Sequence, residues 1–128
     1  MDFDVAVIGG GSAGYASAST AQSLGARVAI VDPGPLGGLC ILRGCMPTKT
    51  ILRSSDIIAL MRRAEEFGIQ PVDPHARLSA INDRKNKLIQ EFADYRIQQL
   101  QDSRFTLIQE RAEFISPHEI RIGDQTLK

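Results

Sequence analysis

The chain has 128 residues, 43% of them hydrophobic, with 15 basic and 15 acidic side chains. That length suits one ordinary domain with a core of its own. The even charge gives no basic footprint for nucleic acid and no pull toward an anionic membrane, so partners of neither kind are expected. The acidic start Met1-Asp2-Phe3-Asp4 is unlike a secretory leader, and the apolar run Val5 to Ile8 is too short to span a bilayer. A cytoplasmic setting follows as the expectation.

In chain order, Phe3 to Ile8 is β-rich and runs straight into glycine, as a buried parallel strand does. Ser12 to Leu24 is rich in Ala and Ser, suits a helix and ends at Gly25. Arg27 to Val31 is a second short strand, stopped by Asp32-Pro33-Gly34-Pro35. The three pieces make a βαβ unit of about thirty residues, the usual size of that motif. Gly44 to Phe67 then reads as one helix, with Pro47 in its first turn and Gly68 at its end. Ile51, Ser55, Ile58 and Met61 or Arg62 trace its expected inner face. After the break at Pro71 and Pro74, a second long helix is expected from His75 to Gln101. Its apolar stripe runs through Leu78, Ile81, Leu88, Phe92, Tyr95 and Gln99, with Ile89, Ile97 and Leu100 beside it. Two such helices joined by a short break should pack antiparallel. Phe105 to Ile115 reads as one strand, Glu119 to Ile122 as its hairpin partner, and a further strand starts at Gln125 with its return incomplete. The expected fold class is α/β: a Rossmann-like domain, left incomplete, with a βαβ start, two long helices and a C-terminal β-hairpin.

Gly9-Gly10-Gly11-Ser12-Ala13-Gly14 fits G-x-G-x-x-G between a strand and a helix. Gly9 permits the tight turn, Gly11 a close backbone approach to a pyrophosphate, and Gly14 close packing of helix on strand. The helix start offers free N–H groups to the phosphates. Asp32, at the end of the second strand, is placed to accept hydrogen bonds from a ribose hydroxyl. A carboxylate there argues against a 2′-phosphate, and from the fingerprint alone FAD and NAD both remain open.

Cys40 and Cys45 are the chain's two cysteines. In one regular helix their Cα atoms would stand about 7.5 Å apart or more, beyond the roughly 4.4 to 6.8 Å that a disulfide spans. A bridge therefore needs Cys40 in a loop or distorted turn, with the helix proper starting near Gly44. A helix start at Cys45 would also favour its thiolate. On spacing alone, redox chemistry competes with two buried free thiols, half of a zinc site and an inert disulfide. Zinc lacks nearby partners, because the two histidines, His75 and His118, lie far along the chain.

The block Gly37-Gly38-Leu39-Cys40-Ile41-Leu42-Arg43-Gly44-Cys45-Met46-Pro47-Thr48-Lys49 resembles the signature of the class I pyridine nucleotide-disulfide oxidoreductases, the family of dihydrolipoamide dehydrogenase, glutathione reductase and mercuric reductase. The glycine fingerprint and the acidic residue after it match in order and spacing, and the likeness covers essentially all of the chain. The resemblance implies FAD as cofactor and NAD(P)H as electron donor of a longer, homodimeric enzyme acting on a disulfide or related small-molecule substrate. It implies that Gly9, Gly11, Ser12, Ala13, Gly14, Gly37 and Gly38 hold the cofactor and that Asp32 binds its adenosine ribose. Cys45 would be the thiolate against the flavin, Cys40 the thiol that meets substrate, and Lys49 a positive charge near the flavin ring. Ala112 would offer a backbone contact to adenine. Leu39 and Leu42 depart from the family's Thr and Asn, and Arg43 adds a charge beside the dithiol. No second G-x-G-x-x-G is present, so residues 1–128 read as the N-terminal part of an FAD-binding domain. The NAD(P)-binding and dimerisation domains, with their His–Glu acid/base pair, would lie outside this chain. The alternative is a dinucleotide-binding module that senses redox state or holds metal without turnover.

Overall fold

The computed structural model describes residues 3–127. The βαβ unit forms as its sequence dictates: β1 (Val5–Ile8), α1 (Ser12–Ser23) and β2 (Val28–Val31). Val-Ala-Ile-Val in β2 is buried at every position, as a central parallel strand covered on both faces must be. β1 pairs with β2 in parallel from Val5–Val28 to Ile8–Val31. Asp4, just ahead of β1, takes bonds from the backbone N–H and the guanidinium of Arg27 and so closes the base of the unit.

Past the Pro/Gly loop lie α2 (Gly38–Leu42), α3 (Cys45–Arg62), a 3-10 turn (Ala64–Phe67) and α4 (Leu78–Leu100). The helix expected to reach Phe67 thus ends at Arg62. A 3-10 turn follows it, and Gly68 at φ +70° closes that turn. Residues 71–77 form no helix or strand, so α4 starts three residues later than expected. Val72 N–H donates to the Met61 carbonyl and Arg62 pairs with Asp73, folding this linker back onto α3. Arg84 donates to the Thr50 carbonyl, while Met46 faces the same cavity as Phe92 and Arg96. The two helices are therefore antiparallel, as expected. No helix among the described residues is long and apolar enough to cross a membrane.

The packed faces match the expected ones in part: Ile58 on α3 and Ile81, Leu88 and Gln99 on α4 are half-buried as expected. On α3 the half-buried stripe is Pro47, Thr50, Ser54 and Ile58, whereas Ile51 is 46% exposed and Ser55 is exposed. On α4 the inner stripe centres on Ile89, Ala93, Ile97 and Leu100, and Leu78 and Tyr95 face outward. The end of α4 enters the main core, where Leu100 joins Ala18, Val28, Ile30, Leu36 and Phe105.

β3 (Thr106–Ile108) adds to β2 in parallel, giving the sheet order β1-β2-β3. The single strand expected from Phe105 to Ile115 is in fact two. Asp32 N–H donates to the Ile108 carbonyl. The chain then leaves that sheet over residues 109–111. It re-forms as β4 (Ala112–Ser116), followed by β5 (Glu119–Ile122) and β6 (Gln125–Leu127) in an antiparallel meander. The hairpin's return strand, expected to be incomplete, is thus present and paired with β5. Ile122 and Leu127 of this small sheet pack on Val31 of β2.

Candidate active site

The glycine turn sits between the C-terminal end of β1 and the start of α1. A Cβ on Gly14 would lie 1.8 Å from the Gly9 carbonyl oxygen, so α1 can meet β1 only with glycine here. No side chain caps the start of α1 and no acidic residue stands in its first turn. Its leading N–H groups and positive dipole end are left for an anion.

The cysteine motif is seated directly on this turn. Gly38, at φ +77°, approaches so closely that a Cβ would stand 2.7 Å from the Gly11 Cα. The two motifs, 27 residues apart in sequence from Gly11 to Gly38, are therefore one structural unit. That bare backbone junction is the kind of cradle a dinucleotide's pyrophosphate requires, and the residues present fit such a group. Asp32 reaches the same turn from β2. Its Oδ2 accepts from Gly10 N–H at 2.6 Å and its Oδ1 from Gly34 N–H at 2.8 Å. Each oxygen keeps a further lone pair, and Asp32 lines a cavity of about 220 Å³ with Gly34, Pro35, Gly38, Leu42 and Arg43. Ala112 does not line that cavity; it pairs with Ile122 and packs with the Val31 cluster.

Cys40 lies within the single-turn α2, not in a loop, and Cys45 is the first residue of α3. The break between the two helices falls at Arg43–Gly44, close to where it was expected. A Cβ on Gly44 would stand 3.0 Å from the Leu39 carbonyl oxygen, so a side chain here would need the fold-back on α2 to give by a few tenths of an ångström. Both thiols are free; Cys40 is half-buried and Cys45 exposed. The Cys40 thiol donates to Cys45, and this bond sets their acidities apart. It raises the pKa of Cys40, which burial and the nearby Cys45 charge push further the same way. It lowers the pKa of Cys45, helped by the ammonium of Lys49 one turn along α3. The arrangement is one thiol made more acidic, one made less acidic and held as its donor, and a cation beside them.

Cys40 opens onto a second cavity, of about 250 Å³, with Ser12, Met46, Phe92, Tyr95 and Arg96 among its lining. Sequence reasoning missed Arg96, because an arginine on a long helix looks like a solvated surface residue. Its only sequence signal is its place beside Ile97 on the stripe that turns inward.

Fold and site together define a dinucleotide-binding domain with a dithiol set on its phosphate turn. The chain belongs to the pyridine nucleotide-disulphide oxidoreductase family, whose model matches residues 3–128. It is 34% identical over 92 residues to a dihydrolipoyl dehydrogenase of Bacillus subtilis (strain 168), covering 72% of this chain and 19% of that protein. It is 32% identical over 127 residues to the mercuric reductase of Lysinibacillus sphaericus, covering 98% and 23%. Among solved structures it resembles the Cu(II) complex of the HOCl-induced flavoprotein disulfide reductase RclA from Escherichia coli. There the TM-score is 0.71 and the identity 28%, over 91% of this chain and 24% of that one. The chain thus spans about a quarter or less of the length of these relatives.

Proposed function

We propose that this chain is the N-terminal part of the FAD-binding domain of an NAD(P)H-dependent disulfide oxidoreductase, with Cys40 and Cys45 as its redox pair. The observation that carries this reading is the asymmetry of the two thiols at a motif seated on the nucleotide turn. The Cys40 hydrogen bond and the Lys49 ammonium make Cys45 more acidic, while Cys40 is made less acidic and faces a cavity. Bound FAD would supply the electron transfer between a nicotinamide and sulfur. The N–H groups of Ser12, Ala13 and Gly14, with bare backbone at Gly9, Gly11, Gly37 and Gly38, would hold its pyrophosphate. Asp32 would hold its adenosine ribose, and the Ala112 backbone its adenine edge. Cys45 and Lys49 would face its ring system.

The thiol chemistry belongs to this chain's own residues. Cys40, once deprotonated, attacks one sulfur of a substrate disulfide and releases the other as a thiol. Cys45 then attacks the Cys40 sulfur of the mixed disulfide, releasing the second thiol and closing the Cys40–Cys45 bridge. Two electrons pass from the dithiol to the substrate, and the bridge must be reduced again before another turn. The NAD(P)H site, the partner subunit of a homodimer and the acid/base pair would be supplied outside this chain. The names of the relatives make a lipoyl disulfide or a mercuric ion natural substrates to try.

The test is the spectrum of the full-length, flavin-loaded protein after reduction by two electrons. A long-wavelength absorption band from the Cys45 thiolate against the flavin is expected, absent in Cys45→Ser and kept in Cys40→Ser. A band that survives Cys45→Ser would remove Cys45 from the flavin and the reading with it.

A further inference from the structure

Two cavities lie side by side along α3, away from the thiols, and they differ in charge. The first, of about 420 Å³, is bounded by α3, the linker after the 3-10 turn and the start of α4. Arg53, Arg77 and Arg84 line it with His75, over an apolar floor that includes Ile57 and Ile81. Among the described residues no carboxylate lines it, and none of the three arginines forms an ion pair. Arg84 donates to the Thr50 carbonyl, while Arg53 and Arg77 make no side-chain hydrogen bond. Asp73, the carboxylate of that linker, is held by Arg62 instead. Cations gathered without a counter-charge repel one another and cost stability, which a bound anion restores.

The second cavity, of about 460 Å³, is lined by Leu60, Met61, Phe67, Ile69 and Val72, and no described charged side chain reaches it. Ile57 belongs to both, so the cationic and the apolar cavity adjoin. Phe67 and Ile69 stand largely exposed there, as apolar surface left in water. Each volume falls within the roughly 300–1,000 Å³ of common ligand pockets. The structure assigns this pair of cavities to one amphipathic anion, a phosphate monoester on an alkyl chain. The phosphate lies among Arg53, Arg77 and Arg84, and the chain passes Ile57 onto Leu60, Phe67 and Ile69. A phosphate suits three guanidinium groups better than a carboxylate does, because it brings more charge and more acceptor oxygens. None of these residues lines the cavities at Asp32 or Cys40, and Arg53 stands about 12 Å beyond Cys45 along the axis of α3. The site is thus separate from the thiol chemistry and does not rest on the redox reading.

The test is calorimetric titration of the full-length, flavin-loaded protein with octyl phosphate, hexyl phosphate, octanol and inorganic phosphate. Octyl phosphate is expected to saturate one site per chain, about tenfold or more tighter than octanol or inorganic phosphate. Hexyl phosphate, shorter by two methylenes, should bind about tenfold more weakly than octyl phosphate. Arg53→Gln joined to Arg77→Gln should weaken octyl phosphate about tenfold and leave octanol unchanged. Neither side chain makes a bond that the fold needs, so the variant should stay folded. Arg63→Gln, exposed on the same arm but outside both cavities, should change nothing. A double variant that binds like the wild type overturns the inference, and so does an equal loss from Arg63→Gln, which would mean diffuse charge alone. Equal affinity for octanol would reduce the site to an apolar patch and overturns it too. No saturable binding would mean that the rest of the full-length protein, or a second copy, covers the arm. Uptake by phosphatidic acid vesicles without binding of octyl phosphate would make the face a membrane contact. Either of these last two results overturns it as well.

Discussion

Every side chain of the four-residue β2 is buried, whereas none of the eighteen residues of α3 is. Around β2 the strands, α1 and the end of α4 close a core from their own apolar residues. The α3–α4 arm leaves Leu52 54%, Ile57 42% and Leu60 41% exposed. The dithiol stands at the joint, with Cys40 and Gly38 on the core side and Cys45 opening the arm. The difference teaches that the nucleotide turn is fixed by an apolar core, while the arm carries the more acidic thiol and the Lys49 ammonium outward to a surface. Apolar area removed from water supplies most folding free energy, so the two regions should respond very differently to the same kind of substitution.

Glycine replacement breaks the comparison most sharply. Gly14→Val would drive a side chain into the Gly9 carbonyl, backbone against backbone, with no flexible atom to give way. The expected cost exceeds about 4 kcal/mol, the range in which a small domain ceases to fold. Gly68 in the arm has open space around its Cβ position but a φ of +70°, so Gly68→Ala should cost only about 1–2 kcal/mol of left-handed strain. Denaturant titration of both variants checks this. Similar losses at the two sites would mean that α1 is not held tightly against β1.

Leucine truncation comes next. Leu100 is fully buried among Ala18, Ile30 and Phe105, and Leu100→Ala should cost about 2–5 kcal/mol through lost burial and a residual cavity. Leu60→Ala, in the exposed arm, should stay within about 0.5 kcal/mol. Thermal unfolding of the two variants tests the contrast, and a large loss at Leu60 would show that the arm is covered in solution.

This contrast also explains what could be read in the amino-acid order. The βαβ unit and both motifs were legible because their physics is local: a glycine that allows a close approach, a carboxylate at a strand end, two thiols astride a turn. The packed face of α3 was not legible. Ile51, Leu52, Ile57, Leu60 and Met61 lie on several sides of that helix, so its apolar period points nowhere in particular. The division between β3 and β4 was hidden for another reason. Phe105 to Ile115 is uniformly strand-like, and only the partner strands decide that Ile108 belongs to one sheet and Ala112 to another. Arg96 escaped because only the packing of α4 brings it to the Cys40 cavity. The roles of Gly9, Asp32, Lys49 and Ala112 toward a cofactor remain for the flavin-loaded protein to test.

At the joint between the regions, the dithiol offers an effect on reactivity rather than stability. Because the Cys40 hydrogen bond is the leading cause of the lowered Cys45 pKa, Cys40→Ala should move the midpoint of Cys45 alkylation upward in pH. Lys49→Gln should move it the same way by less, since its charge acts through exposed surroundings. Cys40 in the Cys45→Ala protein should alkylate at lower pH than in the intact pair, because the bond that held its proton is gone. Iodoacetamide rates against pH give all three. A larger shift from Lys49→Gln than from Cys40→Ala would reverse the assigned order of causes.

The smallest difference is between the two surface clamps, one in each region. Arg62 and Asp73 meet through one contact at 3.1 Å with both side chains largely exposed, and Asp73→Asn should leave stability at neutral pH nearly unchanged. Asp4 takes the Arg27 guanidinium through two nitrogens and its backbone N–H as well, and these bonds hold its carboxyl down from 3.8 to about 2. A carboxyl whose folded pKa is depressed lends its stabilisation fully above its unfolded value and loses it as pH falls through the folded one. The clamp at the base of the βαβ unit should therefore weaken between pH 3.8 and about 2, and Asp4→Asn should remove that acid-dependent increment. At neutral pH the same variant should lose stability by a small fraction of the Leu100→Ala loss, because the pair is exposed and screened. Unfolding midpoints of the wild type and both Asn variants across that acid range decide it. If Asp73→Asn flattened the acid limb as much as Asp4→Asn, the three-bond clamp would have no advantage over the single contact.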